Sequence, residues 1–174
     1  NPNYEDATAN GTLSVSAKAV TVKADDKNKT YGGEEPEFTA TVTGLEGDDS
    51  VAYSLTRDAG ENVGTYTIKA AGEATQGNYS VAYETGTLTI TKASGLTVSA
   101  TGYNGTYDGA AHEGGATANV KEGTTFQYSI DNGETWNADA PSIENVGTVN
   151  YLVKATNPNY EDATANGTLS VSAK

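Results

Sequence analysis

Period-two alternation of apolar and polar residues is the feature that most narrows what this chain becomes. Val20, Val22 and Ala24 alternate with Thr21 and Lys23, Phe38, Ala40 and Val42 with Thr39 and Thr41, and Tyr66, Ile68 and Ala70 with Thr65, Thr67 and Lys69. Leu88 and Ile90, then Leu96, Val98 and Ala100, then Val149, Tyr151, Val153 and Ala155 continue the pattern. Side chains of a strand point alternately to its two faces, so each segment buries one face and wets the other. That suits antiparallel sheets. Parallel sheets covered on both faces would read as continuous apolar runs and would call for crossover helices, which no segment here supplies. Gly, Asn and Asp clusters recur about every 8 to 12 residues and mark the turns between short strands. The chain is therefore expected to be all-β, in small antiparallel β-sandwiches. A β-grasp-like module is the alternative, with a short helical turn over Glu34–Glu37.

The chain is also internally repetitive. Residues 1–18, NPNYEDATANGTLSVSAK, recur unchanged as residues 157–174, which marks a tandem array with a period of 156 residues. A weaker repeat divides that period. Thr30-Tyr31-Gly32-Gly33 aligns with Thr106-Tyr107-Asp108-Gly109, and Glu61-Asn62-Val63-Gly64-Thr65 with Glu144-Asn145-Val146-Gly147-Thr148. Asn78-Tyr79 stands eight residues before Gly86-Thr87-Leu88, and Asn159-Tyr160 eight before Gly167-Thr168-Leu169. Two modules follow, 19–93 and 94–174, with 1–18 as the closing segment of a preceding repeat. Leu13-Ser14-Val15-Ser16-Ala17-Lys18 runs into Ala19-Val20 with no Pro, Gly or polar spacer, and only Ala93-Ser94-Gly95 separates Lys92 from Leu96. Flexible linkers are long and Gly/Ser-rich, so these joins predict modules set end to end with restricted hinge motion. Val15–Val22 is expected to be one extended stretch, with Asn1–Ser14 frayed or docked on a neighbouring molecule.

Charge and composition exclude several functions. A net charge of −13 and a pI near 4.2, with no basic cluster, oppose binding to nucleic acid or to anionic membrane. There is no cysteine, hence no disulfide and no thiolate site. No apolar run approaches the roughly 20 residues of a membrane-spanning helix, so no membrane insertion is expected. No signal peptide or sorting motif is present, which says nothing of a longer parent.

Val20, Thr30-Tyr31-Gly32-Gly33, Glu35-Pro36, Val42-Thr43-Gly44-Leu45, Ala59-Gly60-Glu61-Asn62-Val63-Gly64-Thr65-Tyr66, Asn78-Tyr79 and Gly86-Thr87-Leu88-Thr89-Ile90 together resemble the MBG domains of the YGX type. These are repeats of large bacterial surface proteins, many of them adhesin-like. Residues 94–174 resemble the Ig-like surface repeats that accompany such domains, through Tyr107-Asp108-Gly109, Tyr128-Ser129-Ile130-Asp131-Asn132-Gly133 and Asn159-Tyr160. The resemblance implies an extracellular, envelope-tethered protein and no defined ligand. Its expected partners are neighbouring repeats of the same chain, with a host glycan or mucin as the alternative.

Candidate sites are few. Ser129-Ile130-Asp131-Asn132-Gly133-Glu134-Thr135-Trp136 fits the S-x-D-x-G-x-T-W pattern of an Asp-box, a motif that recurs in sialidases. Its residues suit a hairpin more than catalysis: Asp131 accepts bonds from turn amides with Ser129 and Thr135 alongside, Gly133 takes a positive φ, and Trp136 covers the turn. A carboxylate-clamping site would need several arginines, and the chain has only Arg57. His112 is the one histidine, in a turn-like stretch without a partner at metal spacing. Asp25-Asp26, Glu34-Glu35, and Glu46 with Asp48-Asp49, lack the spacing of a calcium loop. No catalytic residue, metal or cofactor is expected. A glycan-binding role would need aromatic rings on one outer face. Tyr53, Tyr66, Tyr128 and Tyr151 fall in phase with buried residues, which leaves Tyr31, Tyr103 and Tyr107 as the candidate binding rings.

Overall fold

The computed structural model describes residues 2–174, and no helix occurs among them. The first eight strands are β1 (Lys18–Ala24), β2 (Lys27–Thr30), β3 (Ala40–Thr43), β4 (Ser54–Arg57), β5 (Gly64–Ala71), β6 (Thr75–Gln76), β7 (Tyr79–Glu84) and β8 (Gly86–Thr91). The others are β9 (Val98–Thr101), β10 (Tyr103–Thr106), β11 (His112–Glu113), β12 (Gly115–Ala118), β13 (Thr125–Ser129), β14 (Ser142–Ile143), β15 (Gly147–Asn157) and β16 (Tyr160–Ser172). The protein is all-β, as the alternation requires. Glu34–Glu37 is coil, so the helical turn expected of the β-grasp alternative is not formed.

The chain divides into two compact units. One comprises the residues up to Asp26, Glu37–Asp58 and Thr67–Thr87; the other comprises Lys27–Pro36, Ala59–Tyr66 and Leu88–Lys174. The second unit therefore contains the join between the two sequence repeats.

In the first unit, β1 pairs antiparallel with β3 (Val22↔Val42) and parallel with β7 (Val20↔Val81), and β6 adds to β7 (Gln76↔Tyr79). Val20, Val22, Tyr79 and Val81 form its buried core, with Ala40, Val42, Leu45, Val51, Ala70 and Tyr83 packed around them. In the second unit the strand order β10-β16-β15-β13 makes the main sheet. Tyr128, Ile143, Tyr151, Val153, Leu169 and Val171 are its core. The pairs β9–β12, β11–β14 and β2–β8 complete this unit.

The sheets are mixed rather than purely antiparallel. β1–β7, β10–β16 and β2–β8 are parallel pairs. A parallel pair needs a long crossover, but here further strands supply it: the chain between β1 and β7 runs through β2 to β6. Each parallel strand still has only one buried face, so the alternation survives, as the buried Val20, Val22 and Ala24 of β1 show. Tyr53 also departs from expectation: it shares the parity of inward Leu55 yet is exposed, because the β4–β5 ladder begins at Ser54 and Tyr53 lies outside it.

Ladder pairing at the N-terminal side begins only at Lys18, and expectations for Asn1 lie outside the described residues. Leu13 and Val15 are 100% and 98% exposed, whereas their identical counterparts Leu169 and Val171 are 0% and 3% exposed in β16. The same sequence is core in one copy and solvated in the other. Leu169→Ala should therefore destabilise the protein by about 2 to 5 kcal/mol. Leu13→Ala should change stability by less than about 0.5 kcal/mol. Urea unfolding of the two variants checks both values.

Candidate functional site

The Asp131 hairpin is assembled by β13 and the turn that follows it. Ser129 Oγ donates to Asp131 Oδ1 at 2.7 Å and accepts from the Gly133 amide at 2.8 Å. Asp131 Oδ1 also accepts the Thr135 amide at 2.9 Å, and Oδ2 accepts the Thr135 hydroxyl. Gly133 takes φ +91°, where a side chain would be strained, and Trp136 Nε1 closes the turn on its carbonyl at 3.1 Å. Lys154 Nζ stands 4.5 Å from the Trp136 ring centroid, so the half-buried indole is covered partly by a cation. The Thr135 hydroxyl, then the Thr135 amide and Ser129, hold the Asp131 carboxyl down to about 2. Every acceptor position of this carboxylate that the turn reaches is used internally.

The three candidate rings are not gathered into one platform by the contacts they make. Tyr31 packs edge-on against Tyr160, with centroids 5.4 Å apart, and Tyr103 stacks on His112 at 3.7 Å. Tyr107 is 41% exposed. His112 is thus half-buried against Tyr103 rather than a free loop residue, and its Nε2 lies 3.1 Å from Asp108 Oδ1. The Ala110 amide, and after it His112, hold the Asp108 carboxyl below its usual range. No cluster of three or more metal-ligating side chains occurs among the described residues. Nor is any helix among them long and apolar enough to cross a membrane, which says nothing of β-barrel proteins.

The most elaborate constellation is one that the sequence did not flag as a site. β15 and β16 are joined by a tight turn at Pro158-Asn159, whose base is set by buried Asn157. Asn157 Nδ2 donates to the Glu122 carbonyl and to Thr124 Oγ1, both at 3.0 Å, while its Oδ1 accepts the Asn159 amide. Held this way, Asn159 reaches the loop of the preceding repeat: its Oδ1 accepts the Val63 amide at 2.9 Å, and its Nδ2 donates to Asn62 Oδ1 at 3.0 Å. Its backbone binds the connecting chain, accepting from Ala93 N at 3.0 Å. A cleft of about 450 Å³ lies among Tyr31, Asn62, Val63, Gly123, Asn157 and Tyr160.

The loop that meets Asn159 is itself braced. Lys29 Nζ, on a side chain only 6% exposed, donates to Glu61 at 3.0 Å and to Glu35 at 3.1 Å, and these carboxylates, Glu61 foremost, raise its pKa. The Tyr66 hydroxyl donates to the Asn62 carbonyl at 2.7 Å. Repetition of Asn-Val-Gly and of Asn-Tyr was visible in sequence; that one pair binds the other was not, because the partners are 96 residues apart.

Residues 20–89 match the family model of the MBG domain (YGX type). Over those residues the chain is similar to MBG domains of that type. No curated protein matches it. Among solved structures the chain is similar to Drosophila OTK extracellular domains 3-5, with 14% identity, a TM-score of 0.45, and coverage of 86% of this chain and 60% of that one. It is similar also to the N-terminal Ig1-2 module of the Drosophila receptor protein tyrosine phosphatase DLAR, with 15% identity, TM-score 0.31 and coverages of 89% and 98%. Drosophila N-cadherin EC1-4 gives 9% identity, TM-score 0.33 and coverages of 91% and 51%. The chain thus spans 60% of the length of the OTK fragment.

Two outcomes test the hairpin. Asp131 has a folded pKa near 2 against an unfolded value near 3.8, so its contribution is present above about pH 4 and is lost as pH falls from there to about 2. Asp131→Asn should lower the Tm at pH 7, and the difference from wild type should close by about pH 2 in parallel thermal scans. Trp136→Ala should cost about 2 kcal/mol, less than the roughly 3 to 5 of a fully buried ring, since the indole is only half-buried. Denaturant titration at pH 7 reads that value.

Proposed function

We propose that this chain is a stalk or spacer repeat of a large bacterial cell-surface, adhesin-like protein, lying outside the cell and carrying a binding head at a distance. Residues 19–93 and 94–174 are its two modules, and residues 1–18 close a preceding one. The observation that carries this is the Asn159 join, in which a side-chain amide and a backbone carbonyl fix the second repeat to the first with no spacer between them. A hinge that served flexibility would not spend directed hydrogen bonds there. The MBG match over residues 20–89 and the unchanged eighteen-residue repeat support the same reading. The role is mechanical and not enzymatic. The Asp131 carboxylate is consumed within its own turn, Tyr31 packs on Tyr160, and Tyr103 stacks on His112.

A second reading has one observation in its favour. Tyr107 is 41% exposed beside a turn, so a repeated low-affinity glycan or mucin site would gain strength from copy number. Displaying many copies of the chain on beads over a glycan array separates the two. The stalk reading expects signal no higher than for blank beads. Glycan-selective binding that disappears with Tyr107→Ala would replace it with the binding reading.

A further inference from the structure

The join seen once inside this chain has both of its halves repeated at positions where nothing fills them. We infer that the exposed end formed by Tyr107, Asn145 and Val146 is a docking face for the Asn78–Tyr79 turn of a second copy of this chain, repeating the contact that Tyr31, Asn62 and Val63 make with Asn159–Tyr160. The inference deepens the stalk reading and rests on it.

The donor halves match in backbone as well as sequence. Gly64 and Gly147, which follow Asn62-Val63 and Asn145-Val146, have φ of +155° and +156°. The Tyr31 amide donates to the Thr91 carbonyl at 2.8 Å, and the Tyr107 amide donates to the Ser172 carbonyl at 2.9 Å. Each tyrosine follows a strand that runs parallel to the last strand of its repeat, β2 on β8 and β10 on β16. Their surroundings differ in one respect: Val63 is half-buried against the turn it meets, whereas Val146 is 58% exposed.

The acceptor halves match too. Gln76 and Tyr79 pair across a turn at Gly77-Asn78 as Asn157 and Tyr160 pair across Pro158-Asn159. Lys18 N donates to the Asn78 carbonyl at 2.9 Å, as Ala93 N donates to the Asn159 carbonyl at 3.0 Å. Asn78 is exposed whereas Asn159 is half-buried, and a cleft of about 470 Å³ opens between the Asn78 turn and Asp48–Ser50.

The spacing of the chain sets the occupant. Thr91, whose carbonyl receives the Tyr31 amide, is two residues before Ala93, which binds the Asn159 turn. Ser16 is the counterpart of Ser172 in the eighteen-residue repeat, and it stands two residues before Lys18, which binds the Asn78 turn. A module ending in residues 1–16 would therefore be delivered to the Asn78 turn by the same short connection that delivers the first repeat to Asn159. The occupant is the end of an identical module carrying Tyr107 and Val146, in the same chain of an array or in a second molecule. Glu144 beside the donor and Asp48-Asp49 beside the acceptor bring like charges together, so added salt should favour the contact.

Disulfide trapping in the full chain tests this, since no native cysteine competes. The double variant Asp48→Cys with Val146→Cys, which keeps the Asn78 amide, is oxidised at high protein concentration and high salt, beside Val63→Cys with Glu122→Cys, two positions that line the cleft at Asn159. The latter should close within one molecule and stay monomeric. The former should form a covalent ladder at least about tenfold faster than Thr56→Cys with Val146→Cys, whose first position is exposed and off the face, because docking raises the local concentration. Equal rates for the two intermolecular pairs, with unchanged circular dichroism, would overturn the proposal. A ladder abolished by adding Leu13→Asp and Val15→Asp would also overturn it, assigning association to exchange of the N-terminal strand. Either failure, with the glycan array still blank, would leave the stalk reading standing and remove only this contact.

Discussion

A single side-chain amide fixes the join on which the rest of this structure depends. Asn159 supplies one acceptor and one donor in fixed relation, and both are used on the Asn62-Val63 loop of the preceding repeat. An amide engaged at both ends constrains orientation as well as distance, which an apolar contact does not. Its own position is set one layer deeper by Asn157, whose side chain is 6% exposed and takes three hydrogen bonds. A buried amide left unpaired would cost about 1 to 3 kcal/mol, so the turn has little freedom to rearrange. On the other side, Lys29 ties Glu61 down next to Asn62. With the Glu61 side chain 64% exposed, this ion pair contributes little to stability, and its clearer consequence is placement of the loop.

This arrangement gives a chain poor in large apolar residues an additional source of order at the join. Modules of about 75 to 80 residues bury only about 60% of the surface their unfolded chains expose and are marginal alone. At the join an isolated bridge between Ala93 and Tyr160 and the Asn159 clamp add contacts that neither segment makes alone; in quasi-one-dimensional arrays such neighbour contacts supply much of the stability. The compact units reflect this. β2 and the Ala59–Tyr66 loop belong with residues 88–174 although they lie in the first sequence repeat. The net charge of −13 opposes association with polyanions on electrostatic grounds.

Much of the fold was legible because period two reports which residues face inward. Val20, Val22, Leu88, Ile90, Tyr151, Val153 and Leu169 are all buried as the alternation requires. Strand direction was not legible, since a parallel and an antiparallel neighbour demand the same alternation once each sheet has one buried face. Hence β1–β7, β2–β8 and β10–β16 escaped detection. Tyr53 shows the other failure: it keeps the parity of inward Leu55, but it precedes β4, and alternation fixes a side chain's face only within a paired strand. The Asp131 turn could be anticipated because its partners lie within four residues. The Asn159 clamp could not. Its ends meet only after β16 has run back along β15, and no local pattern encodes that. Nor does sequence distinguish Leu13 from Leu169, where identical residues differ only in what packs on them.

The central claim is that the join between the repeats is a formed, directed contact rather than a hinge. Amide hydrogen exchange at Val63 tests it most directly, because that N–H donates to the Asn159 side chain and to nothing in its own strand ladder. The account predicts that Val63 is protected in the native protein and that Asn159→Ala removes the protection at Val63 while amides in β15 keep theirs. Exchange at Val63 in the native protein as fast as in an unstructured peptide would contradict it.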